Sequence, residues 1–209
     1  DCVAVLAPNC AEFVIAFYGI VKAGAVVTTV NSGYREREIA HQLNDSGAEV
    51  LIAHATLVQV AESARDAIPG LRRVIPINET SEDPDSFWGV IERAASAPPA
   101  VAIESEDLAA LPYSSGTTGL SKGVMLTHFN LTSNLRQFVE RPGEAASFVP
   151  DDVVLVHLPM FHIYGLQVLM NGAIAVGGTQ VMMGRFDMDT LLELVARRRV
   201  TWLCTVPPV

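Results

Sequence analysis

The feature that most narrows the fold is an alternation. Residues 3–7, 25–30, 50–53, 74–77, 108–113, 123–127, 153–158 and 179–183 are short apolar runs, several rich in β-branched residues, and read as strands. The segments between them carry apolar residues at helical spacing. Phe13, Phe17, Ile20 and Val21 fall at i, i+4, i+7 and i+8 ahead of Gly24, and Ile39 and Leu43 share a face of a charged helix over 35–44. Leu57, Val60, Ala61, Ala64 and Ile68 repeat in the same way until Pro69-Gly70. Further helices are predicted around 87–95, from about Asn130 and from about Ile163. In the last helix Met188, Leu191, Leu192 and Val195 form the stripe, with Asp187 and Asp189 at its start and Arg197, Arg198 and Arg199 at its end, as the helix dipole prefers. Strands alternating with helices predict an α/β fold, a layered arrangement of largely parallel sheets flanked by helices.

With 209 residues, half of them apolar, the chain can build one real core and is not a disordered polymer. Lys and Arg number 14 against 23 Asp and Glu, a net charge of −9 that argues against nucleic acid or an anionic membrane as the main partner. Residues 153–184 hold no Asp, Glu, Lys or Arg. His157, Pro159, His162, Gln167, Asn171 and Gly177-Gly178 interrupt the run, so it reads as strand, turn, helix and strand, and not as a transmembrane segment. Three cysteines (Cys2, Cys10 and Cys204), with no metal-like spacing, suit a reducing cytoplasm. Residues 78–107 carry Glu79, Glu82, Asp83 and Asp85 with three prolines and read as an exposed acidic excursion. The chain opens on Asp1 directly before an apolar run and closes on Pro207-Pro208-Val209 after a strand-like 202–206. The expectation is therefore an internal piece of a longer protein, lacking the start of its domain, the downstream half and whatever follows.

The chemistry concentrates in Ser114-Ser115-Gly116-Thr117-Thr118-Gly119-Leu120-Ser121-Lys122-Gly123. Glycines let backbone N–H groups curl around an anion, hydroxyls add donors or metal ligands, and a lysine adds a compact positive charge. In chemical terms this is a polyphosphate cradle. A flexible surface turn has the same composition. A G-x-x-x-x-G-K-[ST] phosphate loop does not fit, because Lys122 follows Ser121 and precedes Gly123.

The stretch from Tyr113 to His128 closely resembles the phosphate-loop signature of the adenylate-forming (AMP-binding) enzymes, which include acyl-CoA synthetases and 4-coumarate–CoA ligases. The resemblance extends over Leu6-Ala7-Pro8-Asn9 through Lys22-Ala23-Gly24-Ala25, 158–166 and Val206-Pro207-Pro208, and Phe161-His162-Ile163-Tyr164 is most similar to the acyl- and coumarate-ligase branch. It implies a part of the large N-terminal domain of such an enzyme. In the intact enzyme a carboxylic acid would be activated with ATP and Mg²⁺ to an acyl adenylate and then passed to CoA. The piece alone would be inactive.

By the same resemblance, Ser114, Ser115, Gly116, Thr117, Thr118, Gly119 and Lys122 would hold the ATP phosphates, with Thr118 near Mg²⁺ and Lys122 acting in catalysis. His162 would lie beside the carboxylate and the α-phosphate, Tyr164 and Gly165 would border the acyl substrate, and Arg185 would meet CoA. Ser121 departs from the family, which usually has proline there. Two alternatives stay open: an adenylation domain that loads a carrier protein, and a non-catalytic nucleotide-binding module.

Overall fold

The computed structural model describes residues 1–78, 80–94, 100–114, 119–140 and 148–207. Two compact units result, one of Asp1–Ala7 with Glu12–His128 and one of Pro8–Ala11 with Phe129–Val209.

The first unit begins β1 (Cys2–Leu6), α1 (Ala11–Lys22), β2 (Val26–Val30), α2 (Glu36–Ser46), β3 (Ala48–His54), α3 (Val58–Ala64) and β4 (Arg73–Ile77). α4 (Phe87–Arg93), β5 (Leu108–Ala110), β6 (Tyr113–Ser114), β7 (Lys122–Gly123) and β8 (Leu126–Thr127) follow. Six strands form one sheet in the order β4-β3-β1-β2-β5-β8, parallel throughout except for the β5–β8 pair. The almost continuously buried β1, Cys2-Val3-Ala4-Val5-Leu6, is what a strand inside a parallel sheet requires, since helices cover both of its faces.

α1 buries Phe13, Ala16, Phe17 and Ile20, the spacing of one helical stripe. α2 buries Ile39, Ala40, Gln42 and Leu43; the Glu38 carboxylate accepts the Arg35 N–H at its start, and Gly47 ends it in the left-handed region at φ 64°. The core of this unit joins Leu6, Val30, Ile39, Leu43, Leu51 and Ile68. Within 78–107, Glu82, Asp83 and Asp85 are exposed while Ser86 and Phe87 are buried at the start of α4.

Two expected strands are each divided. The run 108–113 breaks after Ala110 because Pro112 has no N–H to give a ladder. Tyr113 and Ser114 pair instead with Gly123 and Lys122, antiparallel. The run 123–127 is divided in the same way: Gly123 belongs to that hairpin stem, whereas Leu126 and Thr127 pair with β5.

Besides Pro8–Ala11, the second unit holds α5 (His128–Val139) from Phe129 on, a helix that starts two residues ahead of the predicted position, and then β9 (Val153–Val156). A π-helical stretch over Gly165–Asn171 runs directly into α6 (Gly172–Val176), followed by β10 (Thr179–Met182) and α7 (Met188–Arg198). β9 and β10 pair in parallel, and the strand-like 202–206 contributes a single parallel bridge from Trp202 to Val154. The Asp187 carboxylate caps α7 by accepting the Thr190 N–H at 2.8 Å, and Arg199 terminates it at φ 55°. Leu155, Met183 and Leu191 form a small core. Among the described residues no helix is long and apolar enough to cross a membrane.

Candidate nucleotide and acyl site

In the first unit the glycine-rich turn is carried by a two-pair hairpin stem. Ser114 stands opposite Lys122, and both are exposed. Gly119 has φ 149°, a backbone that side chains disfavour. Ser115, Gly116, Thr117 and Thr118 lie outside the described residues.

Long-range hydrogen bonds hold the flanks of this turn. The His41 ring Nε2 donates to the Ser121 carbonyl at 2.8 Å, and the Tyr113 hydroxyl donates to Asp45 Oδ2 at 2.6 Å. Burial, and after it the Asp45 carboxylate that accepts this bond, push the Tyr113 hydroxyl well above the usual phenol range. Sequence reasoning missed both contacts, since neither His41 nor Asp45 belongs to a motif.

Beyond the carboxyl ends of β2 and β3 lies an open cleft of about 440 Å³, lined by Ser32, Tyr34, Arg35, Thr56 and Gln59 among others. No motif in the sequence marked it, because its walls come from two separate segments, 32–36 and 56–63.

In the second unit His162 sits on the turn after β9, Tyr164 and Gly165 at the start of the helical segment that follows, and Arg185 after β10. His162 is exposed, and its Nδ1 accepts the Tyr164 N–H at 3.3 Å, which leaves Nε2 as the remaining ring position. Tyr164 is half-buried and its hydroxyl hydrogen-bonds the Cys204 thiol; burial first, and then Cys204, raise its pKa. At Gly165 a Cβ would stand 2.2 Å from the Pro159 carbonyl oxygen, so the missing side chain is required by close packing of helix on turn. Arg185 is exposed, two residues before the Asp187 cap.

Asn9 fixes that turn. Its Nδ2 lies 3.0 Å from the carbonyls of Val156 and Leu158 and 3.2 Å from that of Met183, and its Oδ1 accepts the Met160 N–H at 2.8 Å. The motif Leu6-Ala7-Pro8-Asn9 was the available signal, but its partners could not be read from it. His157 is buried, with Nε2 3.2 Å from the Thr205 hydroxyl; burial lowers its pKa.

The AMP-binding enzyme family model matches residues 1–209. This chain belongs to that family. The 4-coumarate–CoA ligase of Pinus taeda is 40% identical over 208 residues, which are 99% of this chain and 38% of the relative. The N-terminal domain of FACL13 from Mycobacterium tuberculosis, crystallised with an inhibitor, matches with a TM-score of 0.84 at 32% identity over 96% of this chain and 48% of that one. ATP-bound MatB from Rhodopseudomonas palustris matches with a TM-score of 0.72 at 30% identity over 94% of this chain and 38% of that one. The chain thus spans less than two-fifths of the length of the curated relatives it matches.

Proposed function

We propose that the whole protein activates a carboxylic acid with ATP, forming an acyl adenylate, and then transfers the acyl group to CoA. The observation that carries this reading is the hairpin stem that sets Lys122 opposite Ser114 at the ends of the glycine-rich turn, within a chain matched end to end by the family. In this reading the turn, from Ser114 to Lys122, receives the ATP phosphates. The carboxylate oxygen attacks the α-phosphorus, pyrophosphate leaves, and the lysine ammonium offsets charge that builds on the phosphates. His162 offers its ring N–H to an oxyanion of the acyl phosphate. Tyr164 borders the acyl group, held at its height by the packing of Gly165 on Pro159. The exposed Arg185 meets the phosphates of CoA. The relatives' names include both an aryl acid ligase and a fatty acyl CoA synthetase, and both classes of acid remain within the proposal.

Mg²⁺ enters as the companion of the ATP phosphates. In this reading the ion is carried in with the phosphates, and Thr118 is the one side-chain ligand assigned to it. It would supply charge neutralisation at the polyphosphate.

The test is ATP–pyrophosphate exchange and acyl-CoA release by the full-length protein with cinnamic and fatty acids. Lys122→Met should lower adenylate formation by about 100-fold or more, the scale on which one electrostatic stabiliser acts. Unchanged exchange in that variant would refute the reading. Adenylate formation without free acyl-CoA would redirect it to a carrier-protein acceptor.

A further inference from the structure

The two-pair hairpin stem is too short to hold its own geometry, because even a longer isolated hairpin is marginal in water. Its surroundings supply the restraint, and they converge on one helix. Along α2, His41, Gln42 and Asp45 each engage the turn's approaches. His41 holds the exit through the Ser121 carbonyl. Asp45 holds the entry through the Tyr113 hydroxyl. Between them the buried Gln42 amide donates to the Thr28 hydroxyl at 2.8 Å, which in turn donates to the Leu111 carbonyl at 2.8 Å, just before Pro112-Tyr113. The rings of His41 and Tyr113 meet edge to face at 6.4 Å. The Tyr113 ring also lies across Gly123 on the opposite strand, within 3.1 Å of where a Cβ would be.

We propose that α2 is a clamp for the phosphate turn, with His41 and Asp45 as positioning residues that fix the two ends of the hairpin and so the direction in which Lys122 is presented. This rests on the reading that the turn binds ATP. A carbonyl oxygen only accepts, so His41 must present an N–H at Nε2. Asp45 acts as a charged acceptor that pins the Tyr113 ring over Gly123, and that ring in turn keeps the strands in register. In this proposal the clamp acts on the stem. Its effect is to hold Ser114 and Lys122 opposite each other before phosphates arrive.

The experiment uses the full-length protein and two readouts. The first is amide hydrogen exchange over 113–124 without nucleotide. Asp45→Ala, Tyr113→Phe and His41→Ala should each speed exchange of the stem amides by about 5- to 30-fold, the range for one lost charge-assisted or well-aligned hydrogen bond. The Asp45→Ala/Tyr113→Phe double variant should be no faster than either single one, and His41→Gln, which keeps an N–H donor, should restore most of the protection. The second readout is steady-state kinetics: KM for ATP should rise by a similar factor of about 5 to 30, with kcat and KM for the acid changed less than about threefold. Unaltered stem exchange in all three single variants overturns the clamp. So does a parallel rise of both KM values with a lowered Tm, the mark of general destabilisation. If the wild-type protein uses no ATP while the variants still loosen the stem, the mechanical clamp stands and the catalytic reading fails. If Lys122→Met abolishes turnover but the α2 variants change nothing, the reverse holds.

Discussion

Removing the Asn9 side chain isolates a single physical cause, because one amide serves four backbone groups. In Asn9→Leu the branched heavy-atom shape is kept and the hydrogen bonds are lost. The Val156 carbonyl still accepts the Met183 N–H at 3.0 Å, so its loss is partial. The Met160 N–H loses the acceptor it has in the amide oxygen, and the Leu158 and Met183 carbonyls lose a donor. One buried orphan costs about 1–3 kcal/mol, and with weaker losses at the carbonyls the sum is about 2–4 kcal/mol. Amide exchange in the full-length protein should report this locally. At about 1.4 kcal/mol per tenfold, the amides of 153–166 should exchange about 30- to 700-fold faster, while those of β1 to β4 stay as they were. Asn9→Asp provides a second arm. It keeps an acceptor for Met160 but turns a carboxylate toward three carbonyls, which raises its folded-state pKa above the unfolded value. The stability of that variant should therefore be best below about pH 4 and fall as pH rises through the raised pKa. Acceleration of less than about threefold in Asn9→Leu, or equal acceleration in both units, would refute the reasoning.

Other outcomes follow from the same geometry. Gly165→Ala drives a Cβ into the Pro159 carbonyl and should cost about 1–3 kcal/mol, measured by denaturant unfolding, with KM for the acid rising as Tyr164 shifts. Ser121→Pro restores the family's usual residue and keeps the carbonyl that His41 grips; ATP affinity by calorimetry should change by less than about tenfold. The pKa of His157 is lowered chiefly by burial, so the unfolded chain binds its proton first. Stability should be full above the ordinary imidazole value of 6.5 and decline as pH falls from there toward the depressed one. Denaturant midpoints at neutral and mildly acid pH should show this slope, and His157→Gln should flatten it.

How much of this was readable beforehand depends on the range of the interaction. α1 and α7 were legible because Phe13, Phe17 and Ile20, or Asp187 and the three terminal arginines, act within one helix. The parallel strands were legible from their apolar runs. The division of 108–113 was not anticipated, although Pro112 was visible, because a strand's apolar pattern continues across a residue that cannot join a ladder. The candidate site was legible as motif but not as mechanism. Asn9 finds partners 147 to 174 residues later, and His41 meets Ser121 across 80 residues. Such pairings depend on strand order, and local periodicity carries no record of them. Gly165 was read as bordering the acyl substrate, and its close packing on the Pro159 carbonyl could not be foreseen from spacing alone.

The π-helical stretch also constrains how the sequence can change. Within Gly165–Asn171 the ladder skips to the fifth residue, as in the Gly172 N–H to Gln167 carbonyl bond, and this accommodates one residue more than an ordinary helix of that rise. Deleting a residue there would let the segment relax to regular winding and turn everything after it by about 100°. Gly172, whose bare Cα faces the ring of Phe148, would then rotate away and a bulkier neighbour would take its place. Length changes should thus be tolerated poorly at this point, whereas substitutions that respect size should pass.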